Sequence, residues 1–231
     1  ATTAYVLSSG AANGGTQAKV TKLDMTPTTG SAAPPVLPAP PTVVGAPLAV
    51  TAAQVGLLQG TTLYVAGEDP ANPGNGVLTV VNTTTLTAVT TIKLDNNGKA
   101  ILGIPKVMAA DSNGNIWIGS TGNCAITTDV HGLTQPPGCL HVYNPTSGQV
   151  FANTPPQAFF AGLSDATDDV PSMVWLQPLN GRNVMYVVEG GEVVPYGFDG
   201  STLAPSACAG TQDQPCIIDI VGQAVDVKAA F

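Results

Sequence analysis

Gly103-Ile-Pro-Lys-Val-Met-Ala-Ala-Asp111-Ser-Asn-Gly-Asn-Ile-Trp-Ile-Gly119 is the stretch that decides the fold, because degenerate copies of it recur along the chain. Gly45-Ala-Pro-Leu-Ala-Val leads to Leu63-Tyr-Val-Ala-Gly67, and Asp169-Val-Pro-Ser-Met-Val leads to Met185-Tyr-Val-Val-Glu189. Internal repeats of roughly 50 to 60 residues built from short strands predict a propeller or solenoid. Helical periodicity is absent, since Gly, Pro, Asn and Thr interrupt nearly every window. Runs such as Leu78-Thr-Val-Val81, Ile116-Trp-Ile118, Leu140-His-Val-Tyr143 and Val184-Met-Tyr-Val-Val188 are instead rich in β-branched and aromatic residues bounded by turn formers, which predicts strands.

Each repeat parses into four strands: one after a Gly/Asp-x-Pro signal, one centred on an aromatic anchor, a third ending in Asn or Asp, and a fourth. The anchors are Tyr5, Tyr64, Trp117 and Tyr186, and the third strands end at Asp24, Asn82, Asn144 and Asp199. A fourth copy is divided between the ends. Val221-Gly-Gln-Ala-Val-Asp-Val-Lys-Ala-Ala-Phe231 reads as a first strand with nothing after it, and Ala1 to Ser8 as an anchor strand with nothing before it. The expectation is a single all-β domain over residues 1–231, a β-propeller of four blades (five being the alternative) closed by strands from both termini. Its blades are 221–231 plus 1–44, 45–102, 103–168 and 169–220. The Pro-dense stretch Pro34 to Pro41 suits a rim loop on the first blade.

Charged residues make up only 10% of the 231 and the net charge is −8, so seven scattered Lys and Arg cannot neutralise a run of phosphates. Nucleic acid and anionic membrane surfaces are thereby disfavoured as partners. No apolar run approaches the roughly 20 residues of a membrane span. Cys124 and Cys139, and Cys208 and Cys216, form two local pairs that each bracket a polar segment. They predict disulfides, hence an oxidising compartment, although four cysteines allow three connectivities. The chain starts at Ala1, almost directly in strand-like sequence, as a mature end does after signal-peptide removal; a secreted or cell-surface location is expected.

Val107-Met-Ala-Ala-Asp111-Ser-Asn-Gly114-Asn-Ile-Trp-Ile-Gly119 followed by Leu140-His-Val-Tyr143-Asn144-Pro-Thr-Ser-Gly148 resembles an NHL-type propeller repeat, with its Asp-x-x-Gly-Asn turn and later Asn-Pro-x-x-Gly turn. Leu63-Tyr-Val-Ala66 with Leu78-Thr-Val-Val-Asn82 resembles the YVTN form. The resemblance implies a β-propeller of the bacterial extracellular type. Such families include extracellular binding modules, lactonase-like enzymes and surface-layer components, so it leaves function open.

Asp111-Ser-Asn-Gly-Asn115 begins like a calcium loop but carries Gly122 where a bidentate acid is needed, and a turn is the better reading. Asp165, Asp168 and Asp169 place three carboxylates in five residues, which repel one another unless solvated or neutralised. They are the candidate Ca2+ ligands, with a solvated acidic loop as the plainer reading; no other cofactor is expected. Two histidines, His131 and His141, are too few for a His-rich zinc site, and no G-x-S-x-G or H-E-x-x-H motif occurs. Asn82-Thr-Thr84 is a glycosylation sequon. The expected function is a secreted, non-catalytic structural or interaction module whose partners are other proteins or copies of itself, joined through the terminal strands. A lactonase-like enzyme with a metal in the central channel and a ligand-binding sensor are the alternatives.

Overall fold

The computed structural model describes residues 3–9, 17–26, 41–93, 98–101, 103–121, 127–128, 134–135, 139–152, 172–176, 184–189 and 192–205. Among the described residues there are strands and turns but no helix. Four antiparallel four-stranded sheets follow one another along the chain.

Sheet I contains β1 (Thr3–Ser8), β2 (Ala18–Asp24), β3 (Thr42–Val43) and β4 (Leu48–Val50); β1 lines one side of β2, and β3 and β4 share the other. Sheet II is the meander β5 (Val55–Gln59), β6 (Thr62–Glu68), β7 (Gly76–Asn82) and β8 (Thr87–Ile92). Sheet III joins β9 (Ile104–Ala110), β10 (Ile116–Thr121), β13 (Cys139–Asn144) and β14 (Gln149–Ala152). Between β10 and β13, the short strands β11 (Thr127–Thr128) and β12 (Thr134–Gln135) pair with each other. Sheet IV is the meander β15 (Ser172–Leu176), β16 (Val184–Glu189), β17 (Glu192–Phe198) and β18 (Leu203–Pro205).

The expected strands after Gly103-x-Pro and Asp169-x-Pro are β9 and β15, and each pairs with its anchor strand. The one after Gly45-Ala-Pro does not. Leu48–Val50 pairs with β2 in sheet I, and β6 takes Val55–Gln59 as its neighbour instead. The boundary expected at residue 45 therefore falls inside sheet I. The physical reason is loop length: Gln59 pairs with Thr62 across a two-residue turn, so β5 reaches β6 with far less closure entropy than a strand further back. The segments 153–171 and 206–231, and with them the proposed closing strand Val225 to Phe231, lie outside the described residues.

Side chains alternate between the faces of a strand, and here the alternation has a constant sense. The anchor Tyr5 packs towards sheet II, with Val20, Val50, Leu63, Val65 and Val81. Tyr64 faces sheet III, with Leu78, Ile116, Ile118 and Val150, and meets Tyr143 edge-on at 5.9 Å between centroids. Trp117 faces sheet IV, with Leu140, Met185, Val187 and Tyr196, near the Phe151–Phe198 pair at 5.1 Å. The anchors of sheets I, II and III point forward along the chain, and in sheets II, III and IV the residues on either side of the anchor point back into the preceding sheet.

Two irregularities shape the sheets. The β7·β8 register shifts between Val80 and Val81, and the β9·β10 register between Gly119 and Ser120. Between sheets II and III the backbone approaches closely: the Gly76 N–H donates to the Ile101 carbonyl at 2.7 Å, and Gly103 donates to Gly74 at 3.0 Å. A Cβ on Gly76 would stand 3.1 Å from Ile101 Cγ2 and 3.2 Å from both the Gly103 carbonyl oxygen and Pro105 Cγ. Gly76→Val should therefore cost about 1–3 kcal/mol by overpacking, read as a lower urea midpoint; the same substitution at Gly98, which has open space around it and a positive φ, reports backbone strain alone.

Candidate functional site

The polar groups that recur around the sheets are those at the strand-to-strand turns. At the ends of the third strands, Asp24 accepts from the N–H and hydroxyl of Thr26, Asn82 from the N–H groups of Thr84 and Thr85, Asn144 from those of Thr146 and Ser147, and Asp199 from those of Ser201 and Thr202. Four Asx turns thus stand at the end of the strand that follows each anchor strand, and those at Asn82, Asn144 and Asp199 lead directly into the last strand of their sheets, β8, β14 and β18. An Asp or Asn is used because its short side chain reaches back to the backbone N–H groups two and three residues on. These bonds hold the Asp24 and Asp199 carboxyls below the usual carboxylate range. The sequon asparagine Asn82 is one of these turn residues.

Asp111 is buried and serves as a hub. Its Oδ1 accepts the N–H of Asn113 at 2.9 Å and of Asn115 at 3.0 Å, while Oδ2 accepts Asn115 Nδ2 at 2.9 Å and Trp117 Nε1 at 3.0 Å. Gly114, at φ 79°, lets the turn fold back so that Asn115 comes within reach. Four N–H donors fill the roughly four lone-pair positions of a carboxylate, so this loop is a turn that orients the Trp117 anchor and has no oxygen to spare for a cation.

Asp69 is the second buried carboxylate. Lys93 Nζ lies 2.8 Å from Oδ2, with Asn72 Nδ2 at 2.9 Å and the Ala71 N–H at 3.1 Å from its other oxygen. The Lys93 ammonium chiefly, aided by Asn72 and Ala71, holds the carboxyl below its ordinary range against the opposing effect of burial. Beside it, Glu68 accepts the Gly74 N–H at 2.9 Å. This loop ties the β6–β7 connection to the end of β8. Sequence reading missed the pair, because Asp69 and Lys93 are 24 residues apart with no pattern joining them.

His141 and Ser120 are both buried on the face of sheet III that meets sheet II. Ser120 Oγ has no hydrogen-bond partner, and Ser120 stands opposite Cys139 in the β10·β13 ladder. With the Ser120 and His141 side chains 0% and 1% exposed, no substrate reaches them, and they are core residues. Cys139 is disulfide-bonded; Cys124, Cys208 and Cys216 lie outside the described residues, as do Asp165, Asp168, Asp169 and His131. Among the described residues no three His, Cys, Asp or Glu side chains group as metal ligands do. Neither a family model nor a curated protein matches this chain.

Two measurements follow from these carboxylates. Asp111→Ala strands buried donors, including the Trp117 indole, and should cost about 3 kcal/mol or more, whereas Trp117→Phe, which removes one donor and some volume, should cost about 2 kcal/mol. Asp69 contributes stability above its unfolded pKa and loses it as pH falls through its lowered folded value. Urea midpoints should therefore drop below about pH 4 in the native chain, while Asp69→Asn should be weaker by about 1–3 kcal/mol at pH 7 and show a flatter acid limb.

Proposed function

We propose that the four sheets are propeller blades of the NHL/YVTN kind, and that the chain is an extracellular, non-catalytic module with a structural or interaction role. The observation that carries the non-catalytic reading is that both buried carboxylates among the described residues are engaged by donors of their own sheet and its loops, Asp111 by four N–H groups and Asp69 by Lys93, Asn72 and the Ala71 N–H. A carboxylate committed to fixed N–H groups is neither a free base nor a metal ligand.

The blade reading is supported by the repeated four-stranded antiparallel sheet, by four Asx turns at equivalent positions, and by anchors that face the following sheet in sheets I, II and III. It is supported too by the edge of sheet I. The anchor strands β6, β10 and β16 have a strand on both sides, whereas β1 pairs only with β2 among the described residues. A first strand is what that edge lacks, and Val225 to Phe231 has the sequence pattern to supply it. The oxidising location is supported by the disulfide at Cys139.

Metal analysis of the purified protein, with melting and lactone hydrolysis measured before and after chelation, tests the non-catalytic reading. No stoichiometric metal, no hydrolysis and an unchanged melting temperature are expected; a bound metal whose removal abolishes turnover would replace this reading with the lactonase-like one.

A further inference from the structure

The four Asx turns share a backbone pattern but differ in what their first residue carries, and comparing them isolates one. Asp24 and Asp199 present carboxylates, whereas Asn82 and Asn144 present amides. Asn144 is followed by Pro145, which takes it out of the acceptor pattern Asn-x-Ser/Thr with x other than proline; Asn82-Thr83-Thr84 is the one run in the chain that fits. At Asn82 the folded turn also fixes how the amide faces. The groups at 2.8 and 3.2 Å from Oδ1 are the N–H donors of Thr84 and Thr85, so the oxygen is turned to the backbone and Nδ2 the other way. Nδ2 donates to no acceptor among the described residues, and the Thr84 contact keeps the residue that carries the hydroxyl next to the amide.

The surroundings leave this amide open. Thr83 is buried and its hydroxyl donates to the Thr61 carbonyl at 2.8 Å, which pins the base of the turn to the sheet, while Asn82 is partly exposed and Thr84 and Thr85 stand in solvent. Asn82 pairs with Thr87, the first residue of β8, and β8 is exposed from Thr87 to Thr91. No charged residue stands between Asp69 and Lys93 in the sequence, so this corner of sheet II offers solvent hydroxyls and Val89 but no ion. A glycan there would supply the bulk and hydration that its side chains lack.

We infer that Asn82 is an N-glycan acceptor, modified at Nδ2 as the chain is exported. The inference rests on the extracellular reading above. The co-substrate is a saccharide whose anomeric carbon bears a diphosphate. Transfer forms the bond from Nδ2 to that carbon and breaks the carbon–oxygen bond to the diphosphate, which departs with the electron pair, while Nδ2 gives up one proton to a base of the transferase. Oδ1 takes no part in the new bond, so the Asx turn and the register of β7 with β8 survive the modification.

Intact-mass measurement of the chain recovered from the medium and from the cells of its own source, for the native protein, Asn82→Gln, Thr84→Ala and Thr85→Ala, tests this. The secreted native chain should exceed the mass of its sequence by one glycan, with peptide fragmentation placing the addition on Asn82. Asn82→Gln and Thr84→Ala should lose the added mass, whereas Thr85→Ala, which leaves the acceptor run whole, should keep it. Because the donors of the turn are backbone N–H groups, Thr84→Ala preserves the Asx turn and separates loss of the acceptor from loss of the fold. A secreted native chain at the mass of its sequence would overturn the inference and leave the extracellular reading standing. A native chain found only inside cells, without added mass, would remove both. Added mass that persists in Asn82→Gln would put the modification elsewhere and overturn the assignment to Asn82.

Discussion

A central strand whose successive side chains are all apolar has two faces to bury, and only a layer on each side can bury them. The second strand of sheet II reads Leu63-Tyr-Val-Ala66, and all four residues are buried. Ile116-Trp-Ile118 in sheet III meets the same demand. A lone four-stranded sheet with such a strand is insoluble by construction, and a pair leaves two faces wet. The rest of the structure follows from satisfying this demand repeatedly: consecutive sheets, forward-facing aromatic anchors, and a separate apolar cluster at every interface.

Packing of this kind tolerates little slippage, because a one-residue shift exchanges the faces of a strand. The polar groups of the turns hold the register. Asp111 fixes the β9–β10 turn and the Trp117 indole together, so the aromatic that must face sheet IV is set by a carboxylate six residues before it in the turn. The Asx turns at Asn82, Asn144 and Asp199 do the same for the last strands of sheets II, III and IV, and the Gly76–Ile101 contact pins one sheet against the connection to the next. Acidic residues are scarce in this chain, and the two buried ones among the described residues, Asp69 and Asp111, go to geometry.

The sequence made the strand type, the four anchors and the third-strand ends legible, because each rests on a local rule: alternation, aromatic content, or an Asx residue followed by Thr or Ser. The Asp-x-x-Gly-Asn turn was legible for the same reason. What escaped was non-local. Leu48–Val50 carries the signal of a first strand, yet it pairs backward because a two-residue turn gave β6 a nearer neighbour. Asp69 with Lys93, and the buried hydroxyl of Ser120, depend on which loops meet across a sheet, which no window of residues encodes. The acidic triplet at Asp165, Asp168 and Asp169 falls outside the described residues, so its sequence reading stands as an expectation only.

The register shift between Val80 and Val81 bears on how the protein lives with its own edges. Strand β8 is an outermost strand of sheet II, exposed over Thr87 to Thr91 and without a single charge to repel a neighbour. A straight strand of that composition is a template for the edge of any other sheet. The shift leaves Val89 standing out at 66% exposure and breaks the even spacing of the ladder. A bulge adds twist and unpairs the backbone locally, so an incoming strand would find only a few residues in phase with it. In a chain so poor in Lys and Glu, irregular backbone does the work that charge does elsewhere, and keeps crowded copies from fusing side by side.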